Sequence, residues 1–371
     1  KGDSLTSLLV SKTVQNFISF RVKEIFINII VIMEFNDFFA GEDDHNRRLD
    51  KIIRKLIHKQ NLSQIYSCIR KGLIKVNQKK ASPDTKVQQG DCIKIPSFLL
   101  EPNNQNLSDL HEEKKQNINS NNNSQNFEIC FENNDILIIN KPYDTLVHGS
   151  ENSLDKKVKE YFNNMQNKPA SLSFSPGPLH RLDKKTTGLL AFSLSLKGAN
   201  WFSQNIAIHT IKKTYIAIIQ GTLKQTEEWI DYISTENKNL SKNFFTVKTS
   251  NSQTDNSKKA ISKIQPLLYG KINNTDYTLA KIQIETGRTH QIRAQAAFHN
   301  FPLLGDTAYG GIKLNEKQDL FLHAIKLEFP KDNPINLPKS IITSIPKQWI
   351  DFLNKTSNDK MLLNKNIEDI I

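Results

Sequence analysis

His180-Arg181-Leu182-Asp183-Lys184-Lys185-Thr186-Thr187-Gly188-Leu189-Leu190 sets one carboxylate among three cations and a histidine, directly ahead of an apolar run. Leu189 to Phe192 reads as a strand, and Gly188 lets the backbone turn into it where a Cβ would be awkward. An isolated Arg-Leu-Asp is most often a turn cap paired with a neighbouring cation. The run decides the fold only through what accompanies it.

Two further clusters lie downstream. In Thr286-Gly287-Arg288-Thr289-His290-Gln291-Ile292-Arg293, strand-like Ile282 and Ile284 lead in, and Thr289 to Phe298 is expected to be helical. Arg288 at that junction fits either a two-bond grip on a carboxylate, a structural ion pair, or a phosphate contact at a helix N-terminus. Arg293, on the helix itself, reads as a solvated cation. Lys213-Thr214-Tyr215-Ile216-Ala217 reads as a strand whose tyrosine is either core or a platform for stacking a base.

Strands outnumber helices from Phe127 to about Leu353 and do not alternate strictly with them, so this large region is expected to be α+β. Phe127 to Phe131 and Ile136 to Ile139 are expected to form a hairpin through Asn133-Asn134-Asp135. Upstream, residues 46–96 form a compact module. Leu49, Ile52, Ile53, Leu56 and Ile57 mark one helical face, Leu62, Ile65, Tyr66 and Ile69 a second helix closed by Gly72, and a small sheet follows. Residues 101–126, rich in asparagine and nearly devoid of apolar side chains, read as a flexible linker. Residues 354–371 read as a tail. Met33 is the first methionine, so residues 1–32 are expected to be an extension outside the folded structure.

The chain of 371 residues carries 50 Lys and Arg against 38 Asp and Glu, a formal net charge of +12 that favours a polyanionic partner. The apolar stretch Ile25 to Met33 is far shorter than the roughly 20 residues that span a bilayer, and no small-residue cleavage site follows it. Cys68, Cys92 and Cys130 lack metal-ligand or disulfide spacing and fit a reducing compartment. No metal or cofactor site is expected.

His180 to Leu190 resembles the signature of the RluA family of pseudouridine synthases, with Thr187 where serine is usual. Three more segments agree in order: Asn140-Lys141-Pro142 with Val147-His148-Gly149, Lys213 to Gly221, and Gly287 to Arg293 continuing through Gly305-Asp306 and Tyr309-Gly310. Gln295 stands where that family usually has histidine. Arg48-Leu49-Asp50, Ile69 to Gly72, Lys75-Val76-Asn77 and Val87 to Asp91 resemble the alpha-L RNA-binding module. The resemblance implies an α+β catalytic domain on a mixed, mostly antiparallel sheet, preceded by a small RNA-binding domain. It implies a cofactor-independent enzyme that isomerises uridines of large-subunit ribosomal RNA, monomeric and cytoplasmic, without a membrane partner. Asp183 would be the catalytic carboxylate, Arg288 the cation keeping it ionised and Tyr215 the stacking residue. Arg181 would fill the space of a flipped base, and Arg54, Lys55, Arg70, Lys71 and Lys75 would meet phosphates. The rival readings are a non-catalytic RNA-binding protein that keeps this fold, and a methyltransferase, for which no donor-binding glycine loop is found.

Overall fold

A computed structural model describes residues 34–57, 61–100, 127–164, 171–234, 246–314 and 320–357. The expected extension (1–32), the linker (101–126) and most of the tail lie outside these residues. The chain divides into two units.

The first unit holds β1 (Phe35–Phe39), β2 (Arg47–Arg48), α1 (Leu49–Leu56), α2 (Leu62–Lys71), β3 (Lys75–Val76), β4 (Lys79–Lys80), β5 (Lys86–Val87) and β6 (Cys92–Pro96). Strands pair in the order β1-β6-β3-β4, with β2-β5 as a separate ribbon. Both helices form because their apolar residues share one face: Leu49, Ile52 and Ile53 of α1 and Ile65 and Ile69 of α2 bury against Ile93 and Ile95 of β6. Asn61 caps α2 by accepting from the Gln64 amide, and Gly72 ends it in the left-handed region at φ +75°.

Residues 171–174 belong to this unit as well, although they lie within the sequence of the large region. Leu172 packs on its apolar core. The carboxylate of Asp44, fully buried, accepts from the amides of Gly41 and Leu172 at 2.9 and 2.8 Å and from the hydroxyls of Ser171 and Ser173. Arg47 adds a 2.9 Å bond to the Ser173 hydroxyl. A buried carboxylate is tolerated only with such a set of donors.

The second unit runs through β7 (Glu128–Glu132), β8 (Ile136–Lys141), α3 (Leu154–Asn163), β9 (Gly177–Pro178), β10 (Thr187–Ser193), α4 (Leu196–Ala207), β11 (Lys212–Gln220), β12 (Glu227–Ser234), β13 (Lys248–Ser250), β14 (Ser257–Ile272), β15 (Thr275–Ile284), α5 (Gln291–Phe298), β16 (Leu322–Glu328), β17 (Ser340–Ile342) and α6 (Lys347–Thr356). One sheet orders these strands β13-β12-β14-β15-β11-β16-β10-β8-β7, with β17 on β16 and β9 on β10. The pairings are antiparallel except β10 with β16. Ile138, Leu189, Ala191, Ile216 and Ile218 bury on one face and Ile139, Leu190, Phe192, Ala217 and Ile219 on the other. Both faces are therefore covered, which explains unbroken apolar runs where a one-sided sheet would alternate. The expected α+β class and the β7–β8 hairpin are as found.

The parallel seam sets the entry to β10. Gly188, at φ +107°, pairs with Ala324 so closely that a Cβ would sit 2.2 Å from the Ala324 carbonyl oxygen. Beside it the Thr187 hydroxyl and His323 Nδ1 are 2.7 Å apart. Gly188→Ala is expected to lose about 2–4 kcal/mol of stability, since neither the backbone angle nor the space admits a methyl group. Urea unfolding at equilibrium measures this; a loss below about 1 kcal/mol would show that the seam relaxes to accept it.

Candidate active site

The loop between β9 and β10 presents Asp183. His180 accepts the Ala191 amide at Nε2 (3.1 Å) and stacks on Phe202, with ring centroids 6.1 Å apart. Burial, with the nearby Lys213 charge, drops its pKa to about 3, so it is a neutral strut. The Thr186 amide donates to the Asp183 carbonyl at 3.0 Å and closes the turn. Lys141, at the end of β8 and fully buried, donates to the carbonyls of Lys184 (2.8 Å) and Pro142 (3.0 Å). That bond is the use this structure makes of the Asn-Lys-Pro segment.

Arg293 holds the Asp183 carboxylate. One terminal nitrogen of its guanidinium lies 3.1 Å from Asp183 Oδ2, while Nε and the other terminal nitrogen donate to the two oxygens of Asp306 at 2.7 and 2.8 Å. Burial opposes the charge on Arg293, but hydrogen bonding and attraction from Asp306, joined by Asp183, outweigh it and raise its pKa above the usual value. The guanidinium also lies 5.0 Å from the Tyr309 ring centroid. The expectation that Arg293 is merely solvated is corrected here. The helix begins at Gln291 rather than Thr289, because His290 precedes it in the left-handed region (φ +53°), and this start turns Arg293 toward Asp183. Arg288 is not placed on Asp183: its Nε donates to the Lys259 carbonyl at 2.9 Å.

His290 and Tyr309 complete this side. His290 Nε2 lies 3.7 Å from Asp183 Oδ2, and Nδ1 lies 2.9 Å from the Tyr309 hydroxyl, which also accepts the Val247 amide at 2.9 Å. Burial lowers the His290 pKa, so the ring is neutral. Gln291 and Gln295 anchor α5 from beneath. Gln291 donates to Ser262 and the Ile261 carbonyl, and Gln295 donates to buried Asp231 at 2.7 Å and accepts from the Ser262 hydroxyl. Gln295 is thus fully paired in the place where histidine is usual.

Tyr215 packs into the core with its ring along the cleft, at a register shift between Thr214 and Tyr215 against β16. Such irregularities re-aim side chains beside active sites. Burial and then the Asp183 charge push its phenol far above 10, so it stays protonated. The cleft, about 480 Å³, is lined by Asp183, Tyr215, Lys213, Arg288, His290 and Arg293 among others. A second concavity of about 230 Å³ adjoins it, and exposed Arg181 lines both. Among the described residues, no group of three or more His, Cys, Asp or Glu side chains is arranged to hold a metal. Nor is any described helix long and apolar enough to cross a membrane.

In the first unit, Arg54, Lys55, Arg70 and Lys71 are exposed in the last turns of α1 and α2, where cations suit the helix dipole. Arg54 leans on the Tyr66 hydroxyl (3.2 Å) and buried Asp50 (3.5 Å). Lys75, half-buried, pairs across the sheet with both Lys80 and Lys94. Lys94 is offset by Asp37 on β1, 3.6 Å away, so the row carries lysines with one carboxylate at its end. Lys80 and Lys94 were not singled out in the sequence, because only pairing brings them beside Lys75.

Comparison with known proteins fits this chemistry. Residues 135–298 match the family model described as RNA pseudouridylate synthase, and residues 47–93 match the S4 domain. Ribosomal large subunit pseudouridine synthase C of Buchnera aphidicola subsp. Schizaphis graminum is 30% identical over 304 residues, which cover 78% of this chain and 88% of that protein. The tRNA pseudouridine synthase C of Vibrio cholerae is 33% identical over 211 residues, 54% of this chain and 84% of that one. Human RNA pseudouridylate synthase domain containing 1 shares the fold, with a TM-score of 0.50 at 20% identity over 66% of this chain and 98% of that chain. The class defined is an enzyme that isomerises uridine within RNA. The chain belongs to the RNA pseudouridylate synthase family, in its RluA branch with an N-terminal S4 domain.

Lys141 gives the site a pH signature. Burial, partly offset by Asp183 and Asp144, lowers its pKa from 10.5 to about 7. Between those values the unfolded chain binds a proton here that the folded chain does not, so stability rises with pH across that window. Below about 7 both states are protonated and the slope vanishes. The stability difference between wild type and Lys141→Met is therefore expected to shift in favour of wild type from about pH 7 to 10 and to be flat below about 6.5. Parallel urea-stability curves for the two proteins over the whole range would rule this out.

Proposed function

We propose that this enzyme converts specific uridines of large-subunit ribosomal RNA to pseudouridine, with Asp183 as the reacting carboxylate. The observation that carries the reading is the Arg293–Asp183 contact at 3.1 Å, beside Tyr215 in a cleft of about 480 Å³. Arg293 occupies Asp183 Oδ2, leaving Oδ1 for the nucleotide. The reaction breaks the bond between uracil nitrogen and the ribose, turns the base and rejoins it through carbon, so atoms and electrons balance without a donor. A carboxylate suffices as nucleophile or proton-abstracting base for that step. Tyr215, held as a phenol, stacks on the base and donates rather than accepts a proton at neutral pH.

The target base must leave its helix to reach Asp183. Arg181, exposed where the two concavities meet, is placed to fill the vacated space. Arg54, Lys55, Arg70, Lys71 and Lys75 of the S4 unit take phosphates, which position the RNA without reading its sequence. Large-subunit ribosomal RNA is favoured over transfer RNA as substrate because the large-subunit relative aligns with 78% of this chain, against 54% for the tRNA-acting one. The protein acts as a monomer in the cytoplasm, in a domain arrangement of S4 module (46–96), linker (101–126) and catalytic domain (127–353).

Chemical mapping of pseudouridine in ribosomal RNA from cells with and without this protein tests the substrate. Sites that vanish from the large-subunit RNA support it, and an unchanged map there with losses in transfer RNA overturns it. Asp183→Asn is expected to lower turnover by at least about 10³-fold while RNA affinity stays within about threefold. Turnover near wild type would remove Asp183 from the chemistry. Replacing Arg70, Lys71 and Lys75 together by alanine should weaken RNA binding and flatten its dependence on salt by about 0.7–0.9 in log–log slope for each phosphate lost. An unchanged slope would mean that these residues do not meet phosphates.

A further inference from the structure

Most cations around the Asp183 cleft are accounted for by protein groups. Arg293 lies between two carboxylates, Lys141 sits on two carbonyls, and Lys184 pairs with Asp144 at 3.1 Å. Apart from Arg181, exposed at the rim, two cations lining the cleft have no such anion. Lys213, half-buried at the start of β11, has neither a hydrogen-bond acceptor nor a carboxylate among the described residues. Arg288 uses Nε on the Lys259 carbonyl, and its two terminal nitrogens have no acceptor among them either. Gly287 makes room for this arrangement, since a Cβ there would lie 3.3 Å from the Lys213 ammonium. Burial and then the Arg288 charge lower the Lys213 pKa, so the free protein holds two like charges together at a cost.

A pair of half-buried cations without a protein anion is favoured by a bound anion. Nothing in the isomerisation itself requires this pair. Neither cation holds Asp183, and the uracil ring is neutral. The anion that an RNA strand brings into such a cleft is its phosphodiester, and a cleft of about 480 Å³ takes roughly one nucleotide. The phosphate at its wall is thus the target nucleotide's own or an adjoining one.

We propose that Lys213 and Arg288 clamp one phosphodiester adjoining the uridine presented to Asp183, with the Arg288 guanidinium giving two parallel hydrogen bonds and the Lys213 ammonium a third. The proposal rests on the RNA-isomerising function above and adds the site that fixes the register of the strand. Arg288 thereby becomes a substrate-binding residue rather than a partner of Asp183.

The test uses the full-length protein and a synthetic RNA hairpin carrying a uridine that the wild type converts, with single linkages replaced in turn by uncharged methylphosphonate. For wild type, neutralising one linkage within a nucleotide of the target is expected to raise KM about 10–100-fold, with kcat much less affected. Arg288→Met and Lys213→Met should show a comparable loss on unmodified RNA, and neutralising that same linkage should then cost them less than about twofold more. Arg288→Lys, which keeps the charge, should recover part of the loss. The proposal is overturned if no neutral linkage near the target affects wild type, or if the linkage and side-chain effects multiply independently. Should a variant fold poorly by circular dichroism, the linkage scan on wild type, with Arg288→Lys as the second protein, still decides. A wild type that converts no uridine in unmodified ribosomal RNA refutes the function itself, a different outcome from a converting enzyme indifferent to linkage charge.

Discussion

One guanidinium is shared by two carboxylates, and the site depends on that sharing. Asp306 takes two nitrogens of Arg293 and so fixes the plane and direction of the fork, which leaves the remaining nitrogen aimed at Asp183. Arg293 with Asp306 alone would be a neutral buried pair; adding Asp183 leaves one net negative charge, placed at the cleft. A single Arg–Asp pair would not fix where the carboxylate points. The second carboxylate supplies direction, and the helix beneath supplies rigidity, because Gln291 and Gln295 are both bonded to Ser262 on β14.

The opposite wall of the site is held by neutral groups. The loop carrying Asp183 hangs from the parallel seam of β10 and β16, where the sheet is tightest at Gly188 and Ala324. His180, uncharged, and Thr187 with His323 tie the two ends of the loop to the sheet, and Lys141 spans its middle through carbonyl oxygens. This division explains why a motif so rich in cations needs few of them near Asp183: Lys184 turns out to Asp144, and Arg181 is exposed at the rim.

Much of this was legible in the chain, and the failures have definite causes. The α1 and α2 helices were readable because each has one apolar face and the second has a terminal glycine. The strands were readable as apolar runs, but their order was not, since β10 pairs with β16 across 136 residues at Thr187 and His323. Asp183 and Tyr215, singled out through the motifs that carry them, line one cleft. The choice between Arg288 and Arg293 went the wrong way because it turns on the helix start. A helix from Thr289 leaves the facing of Arg293 open, whereas left-handed His290 settles it. Asp306 lies 13 residues beyond Arg293, outside any helical spacing, and only the fold joins them. Residues 171–174 were read as part of the large region, and their apolar content is too small to signal that Asp44 recruits them.

The two halves of the cleft therefore differ in kind. Around Asp183 the carboxylate is held by Arg293, and the local field is fixed before substrate arrives, which is the condition under which an electrostatic site costs nothing to reorganise during reaction. Around Lys213 and Arg288 the charge is unmatched and is completed only by what binds. A substrate with a neutral reacting ring and an anionic backbone meets both conditions at once, the ring against Asp183 and Tyr215 and the backbone against the free cations. A free uracil base would meet only the first. The unmatched pair thus explains how a site whose chemistry involves one base and one sugar can still require a strand.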